Sequence, residues 1–219
     1  RRAPVALALA ALAAALGAAA YTSAADEEPP PPRAKELLAR LRTCAADATA
    51  FEARFTQRVV HRLGPASPPE TGRIQIRRGG RFRLDYDRPP GRAIAGDGER
   101  VRAFDPRTRV FTVRPAAAGH LAALGLVLGG ADPGAFDARV LCDGGDGRAV
   151  LVLEPRRPDP LLSRAAVVVG GPCPAVERVV IVDAAGTAVR LSFEGWRADP
   201  PLERGRFVLE PPAGATVAR

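Results

Sequence analysis

Strict alternation of apolar and polar residues, sustained through most of the chain, limits what this sequence can fold into. In "GRIQIRRGGRFRLDY", Gly72 to Tyr86, Ile74 and Ile76 fall on one side of an extended chain and Arg73, Gln75 and Arg77 on the other. After the glycines, Phe82, Leu84 and Tyr86 oppose Arg81, Arg83 and Asp85. Successive side chains of a strand point to opposite faces, so this period of two encodes strands with one apolar face. "FEARFTQRVV" repeats it, with Phe51, Ala53, Phe55, Gln57 and Val59 on a common face. The same reading covers "RAIAGD", "ERVRAF", "TRVFTVR", "ARVLCD", "RAVLVLEP", "SRAAVVVG", "AVERVVIVD", "TAVRLSFEGW" and "RGRFVLEPP". Turn signals such as Arg88-Pro89-Pro90-Gly91, Asp97-Gly98 and Asp105-Pro106 divide them. About a dozen strands at hairpin spacing, with no βαβ rhythm and no fixed repeat, imply one large antiparallel sheet.

A sheet with one apolar face must cover it. Two segments are available. "KELLARLRTCAADA" carries Leu37, Leu41, Cys44 and Ala48 at helical spacing, with Leu38 and Ala45 widening the stripe. "AAAGHLAALGLVLGGADP" reads as a short helix bearing Leu121, Leu124, Leu126 and Leu128. Two small helices cannot cover a dozen strands laid flat. The expected fold is therefore mainly β: an open, incomplete antiparallel β-barrel, or half-barrel, with an N-terminal helix and short lid helices covering an apolar concavity. Phe55, Ile74, Ile76, Phe82, Leu84, Leu121, Leu124 and Leu128 are its expected lining. Such a concavity suits an apolar ligand. Arg78 breaks the pattern. Parity puts it among the isoleucines; the alternative is a turn residue, past the end of the alternation at Gly79, that points into solvent.

The first 25 residues, with Arg1 and Arg2 ahead of an alanine–leucine run and small residues, have the layout of a secretory signal peptide. Residues 26–34, "DEEPPPPRA", read as a proline-rich linker, and residues 35–219 as a single domain. The formal charge of +8 raises the question of nucleic acid. Lys35 is the only lysine, however, and the arginines are interleaved with acids, as on solvated strand faces. No nucleic-acid partner is expected. Cys44 lies on the apolar stripe of the first helix and reads as packing. In a simple meander Cys142 and Cys173 fall at one end of the sheet, two strands apart, which makes them the candidate disulfide of an exported protein. His61 and His120 are far apart, and HExxH, CxxC, P-loop and GxSxG motifs are absent from the sequence. No catalytic residue, metal site or cofactor is expected.

The ordered set "FEARFTQ", "GRIQIRRGGRFRLDY", "IAGDGERVRAFDP", "VERVVIVDAAGTAVRLSF" and "FVLEPPAGATV" resembles the periplasmic outer-membrane lipoprotein carrier family (LolA-type). The resemblance implies an open β-barrel of about eleven strands lidded by helices. It implies cargo of triacylated outer-membrane lipoproteins, taken from an inner-membrane lipoprotein-releasing ABC transporter and passed to an outer-membrane lipoprotein receptor, by a protein that acts as a monomer and is not an enzyme. The family's key arginine falls at Arg78, where it would latch the lid by hydrogen bonds to helix carbonyls. Here Gly79 follows it in place of the family's usual proline, and the two late cysteines are a second departure. The alternatives are a periplasmic sensor or regulatory module, and a carrier of another lipid-like cargo.

Overall fold

A computed structural model describes residues 32–44, 47–115, 135–143, 148–159, 162–171, 175–203 and 205–218. Within them, helix α1 (Pro32–Cys44) precedes the strands β1 (Ala50–Val60), β2 (Glu70–Arg77), β3 (Arg81–Arg88), β4 (Ala93–Asp97), β5 (Arg100–Asp105) and β6 (Val110–Pro115). The second run is β7 (Phe136–Asp143), β8 (Ala149–Pro155), β9 (Arg164–Gly170), β10 (Ala175–Val182), β11 (Ala188–Ala198) and β12 (Thr216–Ala218). Proline opens α1, where its missing N–H costs nothing and its fixed φ suits the first turn. The helix thus takes in Pro32, Arg33 and Ala34, three residues that composition assigns to the linker.

All twelve strands form one sheet, in the order β12-β6-β5-β4-β3-β2-β1-β11-β10-β9-β8-β7. Two meanders are joined where β1 pairs with β11, and neighbours are antiparallel except β12, which runs parallel to β6. The two end strands, β7 and β12, do not pair with each other, so the barrel is open. The chain between Pro115 and Phe136 therefore links the two opposite sides of the sheet.

Twelve strands spaced about 4.8 Å apart make a flat sheet over 50 Å wide, whereas a helix of α1's length spans about 20 Å. Yet one face is closed across both meanders. Ala53 and Phe55 of β1, Ile74 of β2, and Phe82, Leu84 and Tyr86 of β3 belong to one apolar cluster. So do Phe136 and Ala138 of β7, Leu151 and Leu153 of β8, Val167 of β9, Val179 and Ile181 of β10, and Leu191 and Phe193 of β11. Ala34, Leu37, Leu38 and Leu41 bring α1 into it. Burial on that scale requires the sheet to curl, and this is the inner face.

The outer face is closed differently. "RGRFVLEPP" alternates like a strand but forms none; prolines on either side and Gly205, at φ +77°, keep it irregular. It crosses the outside of β2–β4 as a strap. Arg83 Nη1 donates to the carbonyls of Arg206 and Val208 (both 3.4 Å), Phe207 is buried, and the chain ends on β6 as β12.

Candidate functional site

The five expected lining residues on described strands come together. Phe55, Ile74, Phe82 and Leu84 are buried in the inner cluster, and Ile76 is packed against it. Register explains this, because Ile74 pairs with Leu84 and Ile76 with Phe82, each pair projecting to the same side. Gly72 makes the packing possible. A Cβ there would lie 2.8 Å from the Phe55 ring and 2.2 Å from the carbonyl oxygen of Asp85. Phe55 instead meets the Tyr86 ring edge-on, with centroids 5.0 Å apart. Leu121, Leu124 and Leu128 lie outside the described residues, as does His120.

Arg78 is not on the ladder. The last β2–β3 pair is Arg77 with Arg81, and Arg78, Gly79 and Gly80 form the turn beyond it, with φ of +82° and +72° at the two glycines. The parity that places Arg78 with the isoleucines ends one residue before it, and the residue is exposed. Its side chain nevertheless folds back onto the structure. Nε donates to the carbonyl of Ala48 (3.0 Å), and the backbone N–H to that of Thr49 (3.2 Å). Both acceptors lie on the chain that joins α1 to β1. Asp199, just past β11, closes the node: its Oδ1 accepts from the Thr49 N–H and hydroxyl (both 2.8 Å) and the Ala50 N–H (3.1 Å). Those hydrogen bonds, with the Arg78 charge beside them, lower its carboxyl below the ordinary value. Arg78 therefore ties the exit of the covering helix to the sheet.

Three buried polar or charged residues occur among those described: Glu52, Gln57 and Gln75. Glu52 and Gln75 face outward, under the strap. Gln75 Nε2 donates to Glu52 (2.6 Å), Arg197 and Arg73 pair with the same carboxylate, and Arg206 reaches from the strap to Gln75 and Asp85. Burial pushes the Glu52 carboxyl up. The hydrogen bonds from Arg197 and Gln75 and the charges of Arg73 and Arg197 outweigh it and hold the group below its ordinary value.

Gln57 faces inward, at the opposite end of β1 from Arg78. It accepts from the Tyr86 hydroxyl (3.0 Å) and donates to Glu70 (3.1 Å). Arg92 Nη1 donates to both Glu70 oxygens (2.6 and 2.7 Å), and its guanidinium carbon stands 4.7 Å from the centre of the Tyr86 ring. Burial pushes the Tyr86 phenol up to about 12. Parity places Gln57 and Tyr86 on the apolar face, and that is the sequence signal for this cluster. Arg92 and Glu70 gave none.

Cys142 is exposed on the outer side of β7 and bonded to no described cysteine, while Cys173 and the side chain of Cys44 lie outside the described residues. Among the described residues no group of three or more His, Cys, Asp or Glu side chains is placed to hold a metal. None of their helices is long and apolar enough to cross a membrane.

Residues 46–210 match the family model described as outer membrane lipoprotein carrier protein LolA. The chain is 33% identical over 178 residues to an outer-membrane lipoprotein carrier protein of Methylibium petroleiphilum, covering 81% of this chain and 86% of that one. It is 30% identical over 187 residues to the protein of the same name from Bordetella avium, covering 84% and 85%. A conserved protein of Thermus thermophilus shares the fold, with a TM-score of 0.52 at 14% identity over 85% of this chain and 99% of that one.

Proposed function

The chain belongs to the outer membrane lipoprotein carrier (LolA) family, and from that membership we propose that its inner face shelters the acyl chains of triacylated lipoproteins on their way across the periplasm. The observation that carries the reading is the single apolar cluster that runs across both meanders of an open sheet beneath one covering helix. Each methylene left in water costs about 0.8 kcal/mol, so a triacylated chain needs an escort between membranes. An open sheet can part where its end strands do not pair, admitting the chains and letting them go. Away from Gln57 and its partners, its inner face offers non-directional contacts, which a lipid tail replaces with contacts of the same kind.

The route begins at an inner-membrane releasing transporter and ends at an outer-membrane receptor, with the carrier a monomer exported by the signal in residues 1–25. It performs no chemistry on its cargo. Phe55, Ile74, Ile76, Phe82 and Leu84 line the cavity, together with Leu121, Leu124 and Leu128 of the lid. Arg78 is the latch. Its hydrogen bond to Ala48 holds the exit of α1 against the sheet in the empty state, and cargo entering beneath α1 must compete with that contact. The candidate disulfide between Cys142 and Cys173 is tested by counting free thiols before and after reduction.

The decisive experiment is mass spectrometry of what co-purifies with the carrier from the periplasm. Acylated peptides are expected. Free lipids alone point to another apolar cargo. A clean protein that leaves lipoproteins in the inner membrane in a release assay overturns the proposal.

A further inference from the structure

Glu52 and Gln75 belong to the outer face, so Gln57 is the one buried polar side chain on the inner face among the described residues. It belongs to the Gln57–Glu70–Arg92–Tyr86 cluster, and that cluster has unspent capacity. An arginine has five donor hydrogens. Arg92 commits Nη1 to Glu70, while Nε and Nη2 make no hydrogen bond to a described residue. The guanidinium is nonetheless drawn into the structure: the Arg92 side chain is 26% exposed, that of Glu70 17%, and Tyr86 lies beneath it. Hydrocarbon begins at once beyond it, through Tyr86 to the Phe55 ring and then to the Ile74–Leu84 pair.

We propose that Arg92 is a subsite for the neutral ester and amide carbonyls that join acyl chains to the glyceryl-cysteine of a lipoprotein, and that Glu70 sets its preference against anionic lipid headgroups. The inference rests on the carrier reading above and concerns how that site recognises its cargo. Charge decides the class of ligand. Arg92 and Glu70 together are neutral, so a carbonyl oxygen can accept from Nε or Nη2 without leaving a net charge in a half-buried place. A phosphate headgroup can reach the same donors only by bringing a second anion beside the Glu70 carboxylate. A carrier that meets anionic phospholipid on its route thereby favours the neutral linker of its cargo over that lipid. Gln57 and the Tyr86 hydroxyl hold the pair in place. The phenol, pushed up to about 12, adds no second negative charge at neutral pH.

The test is competition on the purified carrier, with the neutral dye N-phenyl-1-naphthylamine as reporter. The two competitors are a tripalmitoylated cysteinyl tetrapeptide with no charged group and dipalmitoylphosphatidylglycerol. The wild type is expected to favour the tetrapeptide. Glu70→Gln unmasks the Arg92 charge and is expected to move the affinity ratio about tenfold toward phosphatidylglycerol. Arg92→Gln is expected to weaken the tetrapeptide by about tenfold. Asp87→Asn, which removes an acid from an exposed outer-face pair, is expected to move neither. A ratio in Glu70→Gln within about twofold of wild type overturns the subsite, as does an equal shift in Asp87→Asn. Should Glu70→Gln fail to fold, Arg92→Gln decides alone: unchanged tetrapeptide affinity overturns the subsite. If the wild type binds neither competitor, the carrier reading fails and the subsite with it. If it binds both and the ratio does not move, only the subsite fails.

Discussion

On the inner side of β2 and β3, Ile74 and Leu84 lie opposite each other, closed over by apolar neighbours. One residue along, on the outer side, Gln75 lies opposite Arg83 beneath a strap that arrives from Arg206. Both sides bury a side chain almost completely, Ile74 within and Gln75 without. The inner side does so with contacts that have no direction, and an acyl chain can replace them one for one. The outer side does so with paired donors and acceptors, of which Gln75, Asp85 and Arg83 lose specific partners if the strap lifts. One sheet thus combines a face whose contacts are exchangeable with a face whose contacts are specific, and the first is where the proposed cargo would sit.

Four perturbations sharpen or break this contrast. The largest is Ile74→Ala. Ile74 is 1% exposed, and emptying its place should cost about 3 kcal/mol, read as a lower urea midpoint at unchanged slope. It should weaken acyl binding as well, because the proposed cavity wall is made of core residues. Next is alkali. Tyr86 has a folded value raised from 10.0 to about 12, so its contribution is complete below pH 10 and is lost as pH rises through 12. The loss should be roughly 2–3 kcal/mol in unfolding experiments, and Tyr86→Phe should remove that dependence. Third, Glu52→Ala leaves the buried Gln75 amide without its acceptor and should cost about 2 kcal/mol, with acyl affinity unchanged. Because the Glu52 carboxyl is held below its ordinary 4.5, its contribution is present above that pH and is lost as pH falls below it; the variant should show a flatter acid limb. The smallest is Arg54→Ala. Its pair with Asp87 is 69% and 58% exposed, and its removal should shift stability by less than about 0.5 kcal/mol.

The proposed latch separates from all four. Arg78→Leu should unfold within about 1 kcal/mol of wild type, since the residue is exposed in a turn and its hydrogen bond to Ala48 is close to solvent. Its rate of cargo release to an outer-membrane acceptor should change. An unaltered rate removes Arg78 from the mechanism.

Alternation made the inner face legible, because every strand states its parity locally: Phe55, Ile74, Phe82 and Leu84 are where a period of two puts them. Four things were not local. Arg78 sits one residue past the end of β2, where two glycines with positive φ end the alternation, so parity no longer applied. Glu52 reads as a solvated residue because the strap that buries its surroundings comes from far down the chain. The strap itself alternates like a strand in "RGRFVLE", but the flanking prolines and Gly205, with its positive φ, keep it irregular on the outer face. Arg92 and Glu70 lie near strand ends, where charged residues are ordinary, and only the β1–β2–β3 register brings them onto Tyr86 and Gln57.

The most direct measurement is titration of the tripalmitoylated tetrapeptide into the wild type, Ile76→Glu and Glu52→Ala. Saturable binding by the wild type and by Glu52→Ala, together with its loss in a folded Ile76→Glu, is the expected result. Equal binding by all three would contradict the assignment of cargo to the inner face.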